Sequence, residues 1–156
     1  MTRGSAQLAA LVRILTGVLF IAEGMGKATG KFVQGGFAKS ASGMEPESWP
    51  FWKAFLTSVV VPHASLFAWV VAIGELLLGI GLLLGIFTRI AAALGVPLLL
   101  AILLGQTYVP GSSWEGWITA GLTTKFAILL LLLIAAVGYG AWGVDGRRKK
   151  IRPGFR

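Results

Sequence analysis

The stretch "AIGELLLGIGLLLGIFTR" (Ala72–Arg89) decides the fold, because one carboxylate, Glu75, stands in a run that carries no other charge until Arg89. A run of this length and apolarity is a candidate membrane span. An ionised side chain within hydrocarbon is costly, and such residues ordinarily face the interior of a helix bundle, close to a partner. We therefore expect a membrane-spanning helix whose Glu75 faces neighbouring helices.

The composition of the 156-residue chain is that of a membrane protein. Hydrophobic residues make up 56% of it, charged residues only 13%, and the mean hydropathy is +0.80, whereas soluble domains carry about 25% charged residues. The net charge is +8, but six of the fourteen basic residues lie in the last ten positions, "RRKKIRPGFR". We interpret residues 147–156 as a basic cytoplasmic tail at an anionic membrane surface, and not as a nucleic-acid-binding surface.

The chain has no cysteine and a single histidine, His63. Disulfide exchange, thiolate metal sites and iron–sulfur ligation therefore cannot be carried out by this chain. One histidine cannot build a multi-histidine metal or di-haem centre. We expect no metal site and no cofactor ligated by this chain, and we expect His63, which follows Pro62, to be a surface residue.

Four stretches are apolar enough, and close enough to the roughly 20 residues that a membrane-crossing helix needs, to be spans. They lie near residues 8–25, 64–87, 90–108 and 118–142. The first is expected to be a retained span and not a signal peptide, because Arg13 interrupts it and no A-x-A site follows. The sequence predicts an all-α polytopic membrane protein, a four-transmembrane-helix bundle that forms one domain over residues 1–146.

The distribution of basic residues predicts the orientation of this bundle. Arg3, Arg89 and the 147–156 tail fall on one side of four spans, and cytoplasmic loops carry the excess of Lys and Arg. We expect a multi-pass protein of a bacterial-type inner membrane, with both termini in the cytoplasm.

The long loop between the first two spans contains a predicted helix of its own. The segment "SWPFWKAFLTSVVVP" (Ser48–Pro62) has Ser48 as a candidate N-cap and Pro50 in the first turn. At about a dozen residues this helix is too short to span, so we expect an amphipathic helix on the outer surface. The Gly/Ser-rich stretch before it, residues 26–46, is predicted to be irregular.

Small residues in the second span predict how the helices pack, because helices in lipid are held together by close backbone approach and polar contacts. One face carries Ala68, Ala72, Glu75 and Gly79. A second face, about 100° around the helix, carries Gly74, Gly81 and Gly85. We expect this helix to contact two neighbours. The Leu-rich fourth span, including Leu129–Leu133, is predicted to face lipid or a partner chain.

Ionisable residues fall in three of the four spans: Arg13 and Glu23 in the first, Glu75 in the second and Lys125 in the fourth. Counted at about 1.5 Å per residue, their depths pair Arg13 with Glu75 and Glu23 with Lys125, for which Lys27 competes. Such a buried charge network either holds the helices in register or has a functional role, which is to polarise a quinone carbonyl or to relay a proton. The sequence leaves both alternatives open.

Two segments carry a family likeness. "RILTGVLFIAEGMGK" (Arg13–Lys27) and "GELLLGIGLLLGIFTRIAA" (Gly74–Ala92) resemble the DoxX/DoxD-like family of small four-helix membrane proteins. The family takes its name from a membrane subunit of thiosulfate:quinone oxidoreductase, and relatives are linked to redox homeostasis. The resemblance implies that the candidate functional residues are Arg13, Lys27, Glu75 and Arg89.

These observations lead to an expected function. We expect a small integral-membrane subunit of a larger, quinone-associated electron-transfer complex, mainly anchoring other membrane subunits or further copies of itself, with quinone or lipid bound. Lys27, Arg89 and Gln106 are candidate contacts to a quinone or headgroup, although an interhelical amide contact is the favoured role for Gln106. The alternatives are a quinone-linked oxidoreductase of the thiosulfate:quinone type and a small proton-linked transporter. Whether the chain is an enzyme is left open.

Overall fold

The computed structural model describes residues 2–108, 111, 113–138 and 142–145. These residues form seven α-helices: α1 (Arg3–Thr29), α2 (Phe37–Gly43), α3 (Pro50–Phe55), α4 (Ala64–Leu84), α5 (Thr88–Leu104), α6 (Trp114–Thr119) and α7 (Leu122–Val137). Two π-helical segments, Phe32–Gly36 and Leu56–Val60, and a 3-10 turn, Glu45–Glu47, join the helices between α1 and α4. No strand occurs in these ranges, so the predicted all-α class is confirmed.

Helices α1 and α4 are each long and apolar enough to cross a membrane. They have 27 and 21 residues, which at about 1.5 Å per residue gives roughly 40 and 32 Å, against a hydrocarbon core of about 30 Å. Helices α5 and α7 are apolar but have only 17 and 16 residues. The first three predicted spans correspond to α1, α4 and α5.

The predicted fourth span, residues 118–142, is not one helix. Helix α6 ends at Thr119 and α7 begins at Leu122, because Gly121 between them takes a left-handed conformation with φ 62°. Glycine adopts this conformation without the steric penalty that a Cβ atom imposes. Residues 139–141 of this predicted span and the 147–156 tail lie outside the described residues.

Helices α1 and α4 form the largest contact between helices, and they run antiparallel. Their backbones approach closely at glycines: a Cβ atom added to Gly17 would lie 2.7 Å from the backbone nitrogen of Leu83, and one added to Gly24 would lie 2.8 Å from that of Leu76. Gly79 of α4 makes an equally close approach to α1. The predicted small-residue face of α4 is therefore the face that packs against α1.

Two alanine substitutions in α1 test this contact. Gly24→Ala should lower the free energy of unfolding in detergent by about 1–3 kcal/mol, since the new methyl group overpacks the interface. Gly26→Ala is the matched control, because a Cβ atom there would meet nothing within 4 Å; it should be neutral or stabilising by about 0.5–1 kcal/mol. Thermal unfolding of both variants measures the difference, and equal effects would contradict the glycine contact.

The second small-residue face of α4 packs against α5, so the prediction that α4 contacts two neighbours is confirmed, although Gly85 of this face lies against Arg13. Cβ atoms added to Gly74 and Gly81 would lie 3.4 Å from the side chains of Leu98 and Ala91, which is ordinary van der Waals contact. Helix α5 in turn packs against α7. The buried apolar side chains from four helices form one cluster: Phe20, Leu78, Leu82, Ala92, Leu99, Ile128, Leu131 and Ile134.

The prediction that Leu129–Leu133 face lipid or a partner is wrong for Leu131. Its side chain is completely buried, whereas Leu129, Leu132 and Leu133 are exposed. A Cβ atom on Gly95 would lie 2.7 Å from Cδ1 of Leu131, so this leucine fills the space that the glycine leaves on α5. Leu131 is thus a core residue of the contact between α5 and α7.

The predicted loop helix is present, although its N-cap is not the predicted one. Helix α3 begins at Pro50 and continues into the π-helical segment that ends at Val60. Ser48 does not cap it; its hydroxyl donates to the carbonyl oxygen of Met44 at 2.7 Å. The stretch predicted to be irregular contains the end of α1 and all of α2, because α2 packs against α4 and such tertiary contacts override weak helix propensity.

Residues 32–60, which we call the loop cover, are tied to the end of α5. The backbone nitrogen of Trp49 donates to the carbonyl of Leu104 at 3.1 Å, and its indole nitrogen donates to the Thr107 hydroxyl at 3.1 Å. The backbone nitrogen of Tyr108 donates to the carbonyl of Glu47 at 2.8 Å. These bonds join segments about fifty residues apart or more and hold the loop cover over one end of the helices.

The opposite end, where α4 turns into α5, is closed by residues 142–145. The carboxylate of Asp145 accepts hydrogen bonds from the backbone nitrogens of Phe87 at 3.1 Å and Thr88 at 2.9 Å. These are unsatisfied donors at the start of α5, so Asp145 acts as its N-terminal cap. The backbone nitrogen of Asp145 also donates to the carbonyl of Gly85 at 3.0 Å.

Candidate functional site

The helices and the loop cover surround a cavity of about 590 Å³. Its walls are mainly apolar, with side chains such as Phe20, Val71 and Leu99 from the long helices and Phe32 and Met44 from the loop cover. Its polar lining consists of Thr16, Glu23, Lys27, Ser40, Glu75, Gln106, Thr123 and Thr124. An apolar cavity of this size with a few converging polar groups has the character of a small-molecule site.

Three charged side chains meet at one wall of this cavity. Nζ of Lys27 lies 2.6 Å from Oε2 of Glu75 and 3.1 Å from Oε2 of Glu23. The Glu75 side chain is only 4% exposed, while that of Glu23 is 70% exposed. Nζ also lies 5.9 Å from the ring centroid of Phe32. A continuous run of charges therefore leads from the buried carboxylate to the protein surface.

The prediction that Arg13 pairs with Glu75 is wrong, and the register of the helices explains why. Because Gly24 lies against Leu76 in an antiparallel pair, Glu23 is level with Glu75. Arg13 stands ten residues earlier in α1, about 15 Å away along the axis. The pairing by depth assumes that the outer end of the first span, near residue 25, is level with the outer end of the second span, near residue 64. Instead α4 extends about one and a half turns beyond the end of α1, where it packs against the loop cover.

Arg13 is buried, as the sequence predicts, but at the other end of the bundle and outside the cavity. It is 1% exposed, and its Nη2 donates to the backbone carbonyl of Trp142. Nε and Nη1 have no hydrogen-bond partner among the described residues. A Cβ atom on Gly85 would collide with this guanidinium, so that glycine leaves the space that Arg13 occupies. Arg13 joins α1 to residues 142–145.

The predicted pair of Glu23 and Lys125 is also wrong. Nζ of Lys125 donates to the carbonyl oxygens of Trp117 at 2.5 Å and Ile118 at 3.3 Å. It also lies 4.4 Å from the ring centroid of Trp117, a cation–π arrangement. The break at Gly121 places the end of α6 within reach of Lys125, which therefore binds carbonyl oxygens in the last turn of α6. The partner of Glu23 is Lys27 instead.

The three candidate ligand contacts separate into two groups. Lys27 and Gln106 line the cavity together with Glu75. Arg89 does not line it; its Nη2 donates to the carbonyl oxygen of Ala136 at 3.3 Å, near the end of α7. His63 is exposed, as predicted, and its Nδ1 lies 3.0 Å from the carbonyl oxygen of Val59.

Several hydroxyl groups of the cavity are absent from the sequence-based predictions. The clearest is Thr16, whose side chain is buried and whose hydroxyl donates to the carbonyl of Val12 at 2.8 Å. A signal for it exists, because Thr16, Phe20, Glu23 and Lys27 follow i, i+4, i+7 and i+11 spacing and share one face of a helix. Polar residues repeating along one face of an apolar helix would have identified the cavity wall.

The arrangement combines a hydrogen-bond donor and an acceptor at the end of an apolar space. The ammonium of Lys27 can donate to a carbonyl oxygen, and the carboxylate of Glu75 can accept from a hydroxyl. Within the described ranges, no three His, Asp or Glu side chains come close enough together to hold a metal ion. The chemistry available from these side chains is binding, polarisation and proton exchange.

Long apolar helices held together by glycine contacts, around a cavity with a buried ion pair, define a small helical membrane protein. The family model for DoxX matches residues 8–107 of the chain. The chain therefore belongs to the DoxX family, and the resemblance of its first two spans is confirmed. The match runs from α1 to the end of α5, so it includes Lys27 and Glu75. No curated protein and no solved structure matches the chain.

Proposed function

We propose that this protein is a quinone-associated integral-membrane subunit of a larger electron-transfer complex, which binds quinone in the cavity and anchors partner subunits. The observation that carries the quinone assignment is the Lys27–Glu75 ion pair in the wall of an otherwise apolar cavity. The polar groups that all quinones share are two carbonyl oxygens on a flat ring. The Lys27 ammonium is placed to donate to one of them.

The anchoring role is argued from the redox-centre ligands that the chain lacks. With no cysteine and one histidine, it offers no ligand set for an iron–sulfur cluster or a pair of haems. Electrons therefore have to reach a bound quinone from partner subunits. Other copies of the chain or different membrane subunits are the proposed partners, and the exposed leucines of α7 supply an apolar surface for them.

We further propose that α5 and α7 cross the membrane beside α1 and α4, with both termini on the cytoplasmic side of a bacterial-type inner membrane. Arg13, Gly85 and Trp142 are in contact at one end of the bundle. The α4–α5 turn and residues 142–145 are therefore on the same side. Arg3 and Arg89 belong to this side, and the positive-inside rule makes it cytoplasmic.

Single cysteines test this orientation, and the native chain provides a cysteine-free background. In intact cells, Ser42→Cys in the loop cover should react with an impermeant thiol reagent. Ser5→Cys and Arg156→Cys should react only after the membrane is permeabilised. Reaction of the position-156 cysteine from outside intact cells would contradict a four-span protein with both termini inside.

Quinone binding is tested with the purified protein in lipid nanodiscs and a short-tailed quinone, by calorimetric titration. Ser40→Phe places a large ring at the cavity lining, and it should weaken binding about tenfold, equivalent to about 1.4 kcal/mol. Ser42→Phe, two residues away on α2 and outside the cavity lining, is the matched control and should leave Kd unchanged. Failure of the native protein to bind quinone would refute the proposal.

The subunit role is tested separately by purification from native membranes in a mild detergent. We expect redox-active partner chains to co-purify and to be identified by mass spectrometry. A protein that elutes alone, without bound quinone, would contradict the complex.

A further inference from the structure

The polar end of the cavity has more hydrogen-bond acceptors than donors. Two carboxylates, Glu23 and Glu75, surround one ammonium, Lys27, and the three together carry a net charge of −1. An ammonium has three donor hydrogens, whereas two carboxylates have about eight acceptor positions. Two of the three hydrogens of Lys27 are already engaged by the carboxylates.

Glu75 is the acceptor that most needs a further partner. The residue is buried and lines the cavity. Its Oε2 accepts from Lys27, but no described residue donates to its Oε1. Oε1 is not fully enclosed by protein atoms, so a molecule in the cavity can reach it, and in these mainly apolar surroundings a carboxylate oxygen is stabilised by a donor. A ligand that supplies a donor at this point would complete the site.

The neighbouring hydroxyl does not alter this balance. Thr16 already gives its proton to the Val12 carbonyl, so its oxygen can only accept from a ligand. The surplus on this wall of the cavity is therefore in acceptors.

We propose that the cavity binds the reduced hydroquinone more tightly than the oxidised quinone, with one phenolic hydroxyl donating to Oε1 of Glu75. The inference rests on the proposed function, since it concerns which form of the same ligand is preferred. A quinone has two carbonyl acceptors and no donor, so it can accept the third hydrogen of Lys27 but leaves Oε1 of Glu75 without a donor. A hydroquinone has two hydroxyl donors and leaves the Lys27 contacts intact.

Selective binding of the reduced form has a redox consequence. Each tenfold preference for the hydroquinone raises the two-electron potential of the bound couple by about 30 mV relative to the couple in lipid. The site would therefore favour retention of the reduced ligand.

The test compares three ligands with one ring system: a short-tailed quinone, its hydroquinone, and the dimethyl ether of that hydroquinone, which has no donor. Dissociation constants are measured without oxygen in nanodiscs. The hydroquinone should bind about tenfold more tightly than either of the others, as expected for one hydrogen bond to a charged acceptor. This comparison uses only the native protein, so its result does not depend on whether a substituted protein folds.

Two variants then identify the carboxylate that accepts the hydrogen bond from the hydroquinone hydroxyl. Glu75→Gln should remove most of the preference, because the amide is neutral. Glu47→Gln, an exposed carboxylate outside the cavity lining, should retain it. Equal affinities for quinone and hydroquinone, or a dimethyl ether that binds as tightly as the hydroquinone, would overturn the inference while leaving quinone binding intact. Absence of binding by all three ligands would refute the proposed function itself.

Discussion

Replacing Lys27 by methionine should lower the free energy of unfolding in detergent by about 3–5 kcal/mol, the loss typical of a buried ion pair that keeps one partner. The reason is that Glu75, whose side chain is 4% exposed, would keep its charge without a counter-ion. The matched control is Lys53→Met, which breaks a 3.1 Å ion pair with Glu45 whose side chains are about half exposed. Exposed pairs contribute about 0–1 kcal/mol.

A double substitution separates the ion pair from other effects of the change. Adding Glu75→Gln to Lys27→Met should recover part of the stability, because the unpaired charge is removed together with its partner. Arg13→Gln combined with Glu75→Gln should instead give additive losses, since these side chains lie about 15 Å apart along the axis. Additive losses for Lys27 and Glu75 would show that the two residues do not interact.

Leu131→Ala should lower the free energy of unfolding by about 2–5 kcal/mol, the range for a buried leucine that leaves a cavity behind. Leu131 is completely buried, whereas Leu132, the next residue, is about half exposed. Leu132→Ala therefore controls for the loss of the same atoms and should change stability by less than about 0.5 kcal/mol. Thermal or denaturant unfolding in one detergent measures both. Equal losses would contradict the packing of α7 against α5.

The helix contacts of α4 could be predicted from the sequence because they depend on glycine and alanine. Gly79 and Gly81 lie on the two different small-residue faces of α4, and each contacts a different neighbouring helix in the structure. Small residues stand out in an apolar helix, so their spacing can be read directly. The burial of Glu75 follows from the same argument, since an isolated charge in a span has to face protein.

The partner of Glu75 could not be predicted, because it depends on the relative height of two helices. The loop cover packs on the first turns of α4, where α4 extends beyond the end of α1. The Gly/Ser-rich sequence of the loop gives little sign that it folds. Leu131 was missed for a different reason: a helix apolar on all sides offers no polar face that would identify its buried side.

The bond between Arg13 and the Trp142 carbonyl links positions 129 residues apart. A ribosome makes the chain from its N-terminus at about 5–20 residues per second, so roughly 6–26 s separate the synthesis of the two partners. During that interval the guanidinium depends on water or lipid phosphates for its hydrogen bonds. The first helix therefore cannot reach its final environment until α7 and residues 142–145 have been made, so the packing of α1 is completed long after α1 itself leaves the ribosome.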